Sequence, residues 1–459
     1  MKRLTNMVSF VTLLIVPAFC FAAGGVTSST ATSPTWDPLL NLDPGSVLLS
    51  GPIFDSNGNA WVVTADSTDL IAVQSNGTSG TWNAPHIIGP YPSQPIGHSV
   101  GVAVDHAGGF YVTWDFGASA SAWNLMWAKY TPSGGWQAPS VVFTNPLTFS
   151  RTFPLIDSTG RLVVVFNATA SSSAGSSSIA SNSAQTSWGS VQTLASNPDG
   201  VTELSVASNK SGTILALVQP LSPTGLYWTS FNSATGQWGV LNLIPGSLRV
   251  AAYYTDEPLP LSVDEAGNIT FAAAITLVPT VICIPFVPVG CRLPVYNLGG
   301  FRYETGRWTE IDLVQPSYSF PYLGTYGSIA TSPTGVVLIA LPFEVGDSWQ
   351  VTVLRYTPGQ KMAGQAWDVE IADQFTEGQS FIPTQVAWFE STEPVVVYGK
   401  GIIPQPAMLN SALYVNGAWV PGPDVPGNLT DARPSGFPVA LTGEALLGID
   451  GGYVTFLRP

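Results

Sequence analysis

Short apolar runs, broken by glycine, proline and asparagine, extend over most of the chain. Val, Ile, Thr, Tyr and Trp are frequent in them, as in Leu162–Phe166, Ile214–Val218 and Val336–Leu341. Runs of this length and composition predict β-strands. After residue 23 no stretch combines sustained helical periodicity with helix caps. We therefore expect a protein that is nearly all β.

A unit of about 50 residues repeats along the chain. Each unit has an apolar strand, a turn with Asp, Asn or Ser first and Gly fourth, a second apolar strand and a third strand. A glycine turn then leads to a tryptophan that opens the fourth strand. The turn residues are those that type I turns favour. The turns are Asp55–Gly58, Asp105–Gly108, Asp157–Gly160, Asn209–Gly212, Asp264–Gly267 and Ser332–Gly335. Four strands per repeat predict a β-propeller.

The recurring tryptophan indicates how many blades the propeller has. Seven complete units lie between residues 47 and about 425, and apolar runs at 437–441, 445–449 and 453–457 supply three further strands. Trp36 precedes the first unit, so we predict that an N-terminal strand near residues 33–43 completes the last blade. This closure would cover two sheet edges. The prediction is eight blades, with seven as the alternative. The tryptophans are Trp36, Trp82, Trp136, Trp188, Trp238, Trp308, Trp367 and Trp419.

These tryptophans have two interpretations. Aromatic rings stack on sugars, but a tryptophan at one position of every blade can also wedge neighbouring blades together, with burial worth about 2–3 kcal/mol each. Recurrence in all eight units favours the structural role. Function is then expected where the blades differ.

The N-terminus predicts export. Residues 1–22 combine Lys2 and Arg3 with an apolar run from Val8 to Phe21, which is the layout of a cleaved signal peptide. The propeller domain would then occupy residues 23–459, secreted or periplasmic, without a membrane span in the mature chain. Cys283 and Cys291 would remain in an oxidising compartment, where we expect a disulfide between them; two buried thiols are the alternative.

Composition excludes several partners and chemistries. The formal net charge is −14 and only 10% of residues are charged, which argues against nucleic acid because phosphate contacts require clustered Lys and Arg. Three histidines make a histidine-built metal site improbable, and we expect no cofactor. No hydrolase elbow, zinc-protease segment or phosphate-binding loop is present.

The blade-to-blade connections hold most of the polar residues that differ between repeats. Together with an insertion at about 275–297, they are long and varied, so we predict that their face of the ring is the binding surface. Bracing of each loop by its own arginine is the alternative interpretation. The candidate ligand-binding residues are Arg151, Glu203, Arg249, Tyr253, Tyr254, Asp256, Glu257, Tyr322 and Arg433.

The repeat resembles those of propeller lectins and of exported bacterial propellers, in which Asp-x-x-Gly precedes an apolar strand, an aromatic strand and Gly-x-Trp. The resemblance implies a non-catalytic propeller that recognises carbohydrate or a surface partner through long loops. Sialidases are similar in their loop arginines and Asp turns, but here Gly58 follows Asp55 by three residues and Trp61 follows it by six. No catalytic residue is assigned. The alternative function is a glycoside hydrolase or polysaccharide lyase that uses carboxylates and tyrosines at the channel mouth.

Overall fold

The computed structural model describes most of the chain from residue 34 onward. The described residues are 34–42, 47–77, 80–91, 100–119, 122–145, 148–169, 175–196, 201–220, 225–250, 259–276, 296–312, 327–345, 348–359, 367–376, 379–389, 393–402, 408–427, 434–436, 445–449 and 453–458. All regular structure in these ranges is β-strand, except the 3₁₀ turn Ser247–Arg249. The same ranges contain no helix long and apolar enough to cross a membrane.

The strands form eight antiparallel sheets, seven of which are consecutive along the chain. Blade 1 comprises Val47–Phe54, Ala60–Ala65, Asp69–Gln74 and His86–Pro90. Blade 2 comprises Val100–Val104, Phe110–Ser119, Ala122–Thr131 and the divided strand Gly135–Trp136 and Ser140–Asn145. Blade 3 comprises Thr148–Ile156, Leu162–Thr169, Gly175–Ala180 and Gln192–Ser196. Blade 4 comprises Val201–Ser208, Ile214–Pro220, Tyr227–Asn232 and the divided strand Gln237–Trp238 and Asn242–Leu243.

The next three blades follow the same order. Blade 5 comprises Leu261–Val263, Ile269–Thr276, Tyr296–Glu304 and Arg307–Asp312. Blade 6 comprises Ser328–Thr331, Val337–Val345, Ser348–Tyr356 and Trp367–Thr376. Blade 7 comprises Gln379–Phe389, Glu393–Ile402, Met408–Val415 and Ala418–Pro421.

Both ends of the chain contribute to blade 8. Its first three strands are Pro434–Gly436, Ala445–Ile449 and Tyr453–Arg458, and its fourth is Thr35–Trp36 continued by Leu40–Asn41. Thr35 pairs with Arg458 and Trp36 with Leu457. The predicted eight-bladed ring and its N-terminal closure are therefore confirmed, and the seven-bladed alternative is wrong.

The first strands form the innermost layer of the ring. Each first strand contacts the first strand of the next blade, and the series closes from blade 8 back to blade 1. We call the end with the first-to-second and third-to-fourth turns the turn face. The end with the second-to-third loops and the blade-to-blade connections is the loop face.

The recurring tryptophans pack against the preceding blade. The indole Nε1 of Trp36 donates to the carbonyl of Pro423 at 3.1 Å, and that of Trp238 donates to Ser178 Oγ at 2.7 Å. Trp419 Nε1 donates to Glu370 Oε2 at 2.6 Å. These bonds join blade 8 to blade 7, blade 4 to blade 3 and blade 7 to blade 6. The wedge role therefore holds for these tryptophans.

Two strands show how local sequence and pairing combine. The described first strand of blade 8 is Pro434–Gly436, which directly precedes the predicted run 437–441 that lies outside the described residues. The serine-rich stretch at 171–183 contains the regular third strand Gly175–Ala180. Ser176 and Ser178 are buried in this strand, which pairs with the apolar second strand of blade 3.

Candidate functional site

The turn face includes six similar hairpin turns, one between the first and second strands of each of blades 1–6. In each, the side-chain oxygen of the first residue accepts a hydrogen bond from the backbone N–H four residues later, at 3.0 Å for Asp55 and 2.7 Å for Asp105. The fourth residue is glycine with φ near +80°, as at Gly58 with +81°. Glycine adopts this left-handed conformation without steric cost.

The second carboxylate oxygens of three turn aspartates also bind within the fold. Asp55 accepts from the Trp61 indole at 3.0 Å. Asp105 accepts from the Tyr111 hydroxyl at 2.6 Å. Burial, together with this bond, raises the pKa of Tyr111. Asp264 contacts the buried Arg302 guanidinium at 3.3 Å. These carboxylates hold the turns, so they are poor candidates for acid–base chemistry.

A cavity of about 550 Å³ opens at the turn face. The ends of the first strands of blades 1–4 enclose it, with apolar side chains that include Phe54, Val104 and Leu155. His106 and Lys210 lie at its rim. Its volume is within the usual range of small-molecule pockets.

At the loop face, one strand position distinguishes three of the six blades that carry the repeated turn, blades 1–6. The sixth residue of the second strand is Ala65 in blade 1, Ala274 in blade 5 and Pro342 in blade 6. In blades 2, 3 and 4 it is Asp115, Asn167 and Gln219. Asp115 is 0% exposed and Gln219 is 2% exposed. We call Asp115, Asn167 and Gln219 the polar series.

The polar series continues across neighbouring strands. Asn167 Oδ1 accepts a 2.6 Å hydrogen bond from Ser176 Oγ and lies opposite Arg151 on the first strand of blade 3. Glu203 lies opposite Gln219 in the register of blade 4. Buried polar groups cost free energy unless they are hydrogen-bonded, so this series is a specific departure from the apolar repeat.

Tyr91 lies beside the polar series, just after blade 1. Burial and the negative charge of Asp115 raise the pKa of Tyr91 to about 12. The Tyr91 phenol is therefore protonated at neutral pH. Its hydroxyl is a hydrogen-bond donor within electrostatic range of the carboxylate of Asp115.

The structure describes three of the predicted ligand-binding residues, and it places them in regular elements. Arg151 lies in the first strand of blade 3 and Glu203 in that of blade 4, where loops were expected. Arg249 ends the 3₁₀ turn Ser247–Arg249. The remaining candidates, and the predicted disulfide pair, lie outside the described residues: Tyr253, Tyr254, Asp256, Glu257, Cys283, Cys291, Tyr322 and Arg433.

No sequence pattern singled out Asp115, Asn167 and Gln219. Each follows an apolar run within a predicted strand, so none stands out as a loop residue. Alignment of the second strands on their turn glycines could have found them, because it places all three at the same position.

The comparisons with known proteins concern the fold alone. No protein-family model matches the sequence, and no curated protein matches it. A polysaccharide lyase, ulvan lyase, is similar in structure at 13% identity, with a TM-score of 0.46 over 86% of this chain and 98% of that one. YCF48 bound to a peptide has 10% identity and a TM-score of 0.42 over 92% and 97%. Leech intramolecular trans-sialidase has 9% identity and a TM-score of 0.36 over 84% and 67%.

Proposed function

We propose that the protein is an exported, non-catalytic binding propeller that recognises carbohydrate or a surface partner through its loop face. The observation that carries this proposal is the polar series. Asp115, Asn167 and Gln219 replace apolar residues in three adjacent blades, on the face where the long connections emerge.

Carbohydrate suits such a surface because sugars present many hydroxyl groups and few charges. The side chains of Arg151, Asn167 and Tyr91 together offer hydrogen-bond donors and acceptors in one sector of the ring. Specific pockets typically combine a small number of fixed polar groups with apolar walls. The buried members of the series would act by positioning the groups that touch the ligand.

The alternative is a glycoside hydrolase or polysaccharide lyase at the same face. The observation in its favour is the proximity of the buried Asp115 carboxylate to the Tyr91 phenol. The raised pKa of Tyr91 keeps its phenol protonated at neutral pH, so in this alternative Tyr91 would act as a general acid and not as a base.

A glycan array probed with the mature chain, residues 23–459, tests both proposals. A non-catalytic binding protein should leave the glycans it binds intact. We expect saturable binding to one group of related glycans. The bound glycans are then incubated with the protein and assayed for new reducing ends and for unsaturated sugar ends. Either product would overturn the non-catalytic proposal in favour of the alternative. No binding to glycans or to bacterial surface preparations would overturn the recognition proposal.

Export is part of this proposal and has its own test. Intact-mass measurement of protein from the periplasm and the culture medium should show loss of the first 22 residues. The same measurement before and after reduction reports the pairing of Cys283 with Cys291. Protein that retains Met1 in a cytoplasmic fraction would contradict export.

A further inference from the structure

The cavity at the turn face offers a second kind of site, separate from the loop face. Four adjacent blades supply the ends of their first strands to it, so its walls belong to the innermost layer of the ring, in which each first strand contacts the next. Ile53, Phe54, Val102, Val104 and Leu155 make these walls largely apolar. A site on such a scaffold is preformed, which lowers the entropic cost of binding.

The acidic groups that line the cavity are already engaged. Asp55 accepts hydrogen bonds from the backbone N–H groups of Asn57 and Asn59 at 2.8 and 3.0 Å and from the Trp61 indole at 3.0 Å. Asp105 accepts from two backbone N–H groups and from Tyr111. These donors offset the charge of both carboxylates and fix them to their own turns. A ligand therefore gains little from contact with them.

Asn209 is also engaged, since its Nδ2 donates to the carbonyl of Asp264 at 2.8 Å. The other polar groups of the lining are hydrogen-bond donors without a side-chain partner in the described part of the chain. They are the hydroxyls of Ser56 and Ser208, the imidazole of His106 and the ammonium group of Lys210, all of which are exposed. Lys210 binds the carboxylate of Glu265 only through its backbone N–H, at 3.0 Å. Its ammonium group thus remains available at the rim.

The geometry points to a binding site for a small, mostly apolar molecule that carries one hydrogen-bond acceptor group, a carbonyl or a carboxylate. The apolar body lies against Phe54, Val104 and Leu155. The acceptor group meets Lys210 and the hydroxyl of Ser208 at the rim. A buried sugar is a poor occupant, because the apolar walls would leave most of its hydroxyls without partners.

Displacement of a neutral fluorescent probe, N-phenyl-naphthylamine, from the mature chain tests this site. The competitors are decanoate, methyl decanoate and decane, which carry a charged acceptor, a neutral acceptor and no acceptor. We expect saturable probe binding and displacement by both acceptor-bearing competitors at lower concentration than by decane. Decanoate stronger than methyl decanoate would identify the carboxylate as the preferred head group, and the reverse order would identify the carbonyl.

Substitutions at the mouth of the cavity, with a control elsewhere, test whether the probe binds there. Ser208→Trp places an indole in the mouth and should weaken probe binding about tenfold or more. Ser140→Trp, on the exposed outer strand of blade 2, is the matched control and should leave it unchanged. Lys210→Met should weaken decanoate several-fold while it leaves the probe unaffected. Ser56→Trp, on the opposite lip, replaces Ser208→Trp if that variant does not fold.

The outcomes separate this site from the loop-face function. Absence of saturable probe binding, or equal binding by Ser208→Trp and Ser140→Trp, overturns the proposed cavity site. A decane affinity equal to that of both acceptor-bearing competitors overturns the acceptor requirement. Glycan binding at the loop face should be the same in Ser208→Trp as in the unmodified chain, so either proposal can fail without the other.

Discussion

Trp36 lies directly opposite Leu457 in the sheet that closes the ring. Next to Trp36, the carboxylate of Asp37 forms a 2.7 Å ion pair with Arg458. Trp36 also packs on the apolar cluster between blades 7 and 8. The two ends of the propeller domain are therefore held together by backbone pairing, charge and burial in one place.

Trp36→Ala should destabilise the closed ring. Loss of a half-buried indole and its bond to Pro423 should lower the free energy of unfolding by about 3 kcal/mol. Leu40→Ala is the control, because Leu40 is 40% exposed in the same N-terminal segment, and it should cost less than about 1 kcal/mol. Urea unfolding measures both. Equal midpoints for the two variants would contradict the closure by Trp36.

Alanine substitutions at two turn glycines distinguish the free-energy cost of a steric clash from that of backbone strain. Gly212 and Gly58 share φ of +81°, but a Cβ at Gly212 would lie 2.2 Å from Ser158 N, whereas a Cβ at Gly58 meets open space. Gly58→Ala should cost about 1–2 kcal/mol from the left-handed backbone alone. Gly212→Ala should cost clearly more, because the neighbouring turn of blade 3 must move. Similar unfolding midpoints would show that the contact between these turns is loose.

Arg302 joins blade 5 to blade 6 and should be sensitive to substitution. Its guanidinium, 2% exposed, contacts Asp264 at 3.3 Å and lies 4.1 Å from the centre of the Tyr356 ring. Arg302→Met leaves the buried carboxylate of Asp264 without its cation and should cost about 3 kcal/mol. Arg307→Met, at an exposed position of the same hairpin, should be nearly neutral. A reversed order in thermal unfolding would refute this role.

Stability should fall at alkaline pH. Burial, with the charge of Asp115, raises the pKa of Tyr91 from 10.0 to about 12, and burial with the Asp105 bond raises that of Tyr111. The unfolded chain loses these protons near pH 10, whereas the folded chain retains them. The contribution is thus complete below pH 10 and declines as the pH rises towards 12.

Urea unfolding midpoints measured between pH 9 and pH 11.5, about the range over which unfolded tyrosine ionises, test this expectation. Tyr91→Phe should show a smaller decline than the unmodified chain, because one of the shifted groups is removed. Midpoints that stay constant over this range would contradict the assigned burial of the phenols.

The repeated features of the fold were predictable because the same residue types recur at equivalent positions and pack in the same way in each blade. Asp55 and Gly58 identify the first turn by its chemistry, and Trp36 indicates the closure because its context matches Trp82 and Trp136. Local composition only weakly indicated that the serine-rich segment Gly175–Ala180 forms a strand. Its pairing with the second strand of blade 3 makes it one.

The candidate site was less predictable because it depends on contacts between blades. Arg151 and Glu203 were singled out as loop residues, but the structure places them in first strands. Asp115 was overlooked because a single acidic residue in an apolar strand has no sequence motif. Its place beside Tyr91 follows from the ring, which brings the end of blade 1 against blade 2.

Glycan affinity of paired variants tests the central claim most directly. Asp115→Asn and Tyr91→Phe change the polar sector at the loop face with little change of shape, and Lys210→Met changes only the turn face. We predict that the two loop-face variants bind the preferred glycan at least about tenfold more weakly, while Lys210→Met binds as the unmodified chain does. Unchanged affinity in Asp115→Asn and Tyr91→Phe, with correct folding, would contradict recognition through this sector.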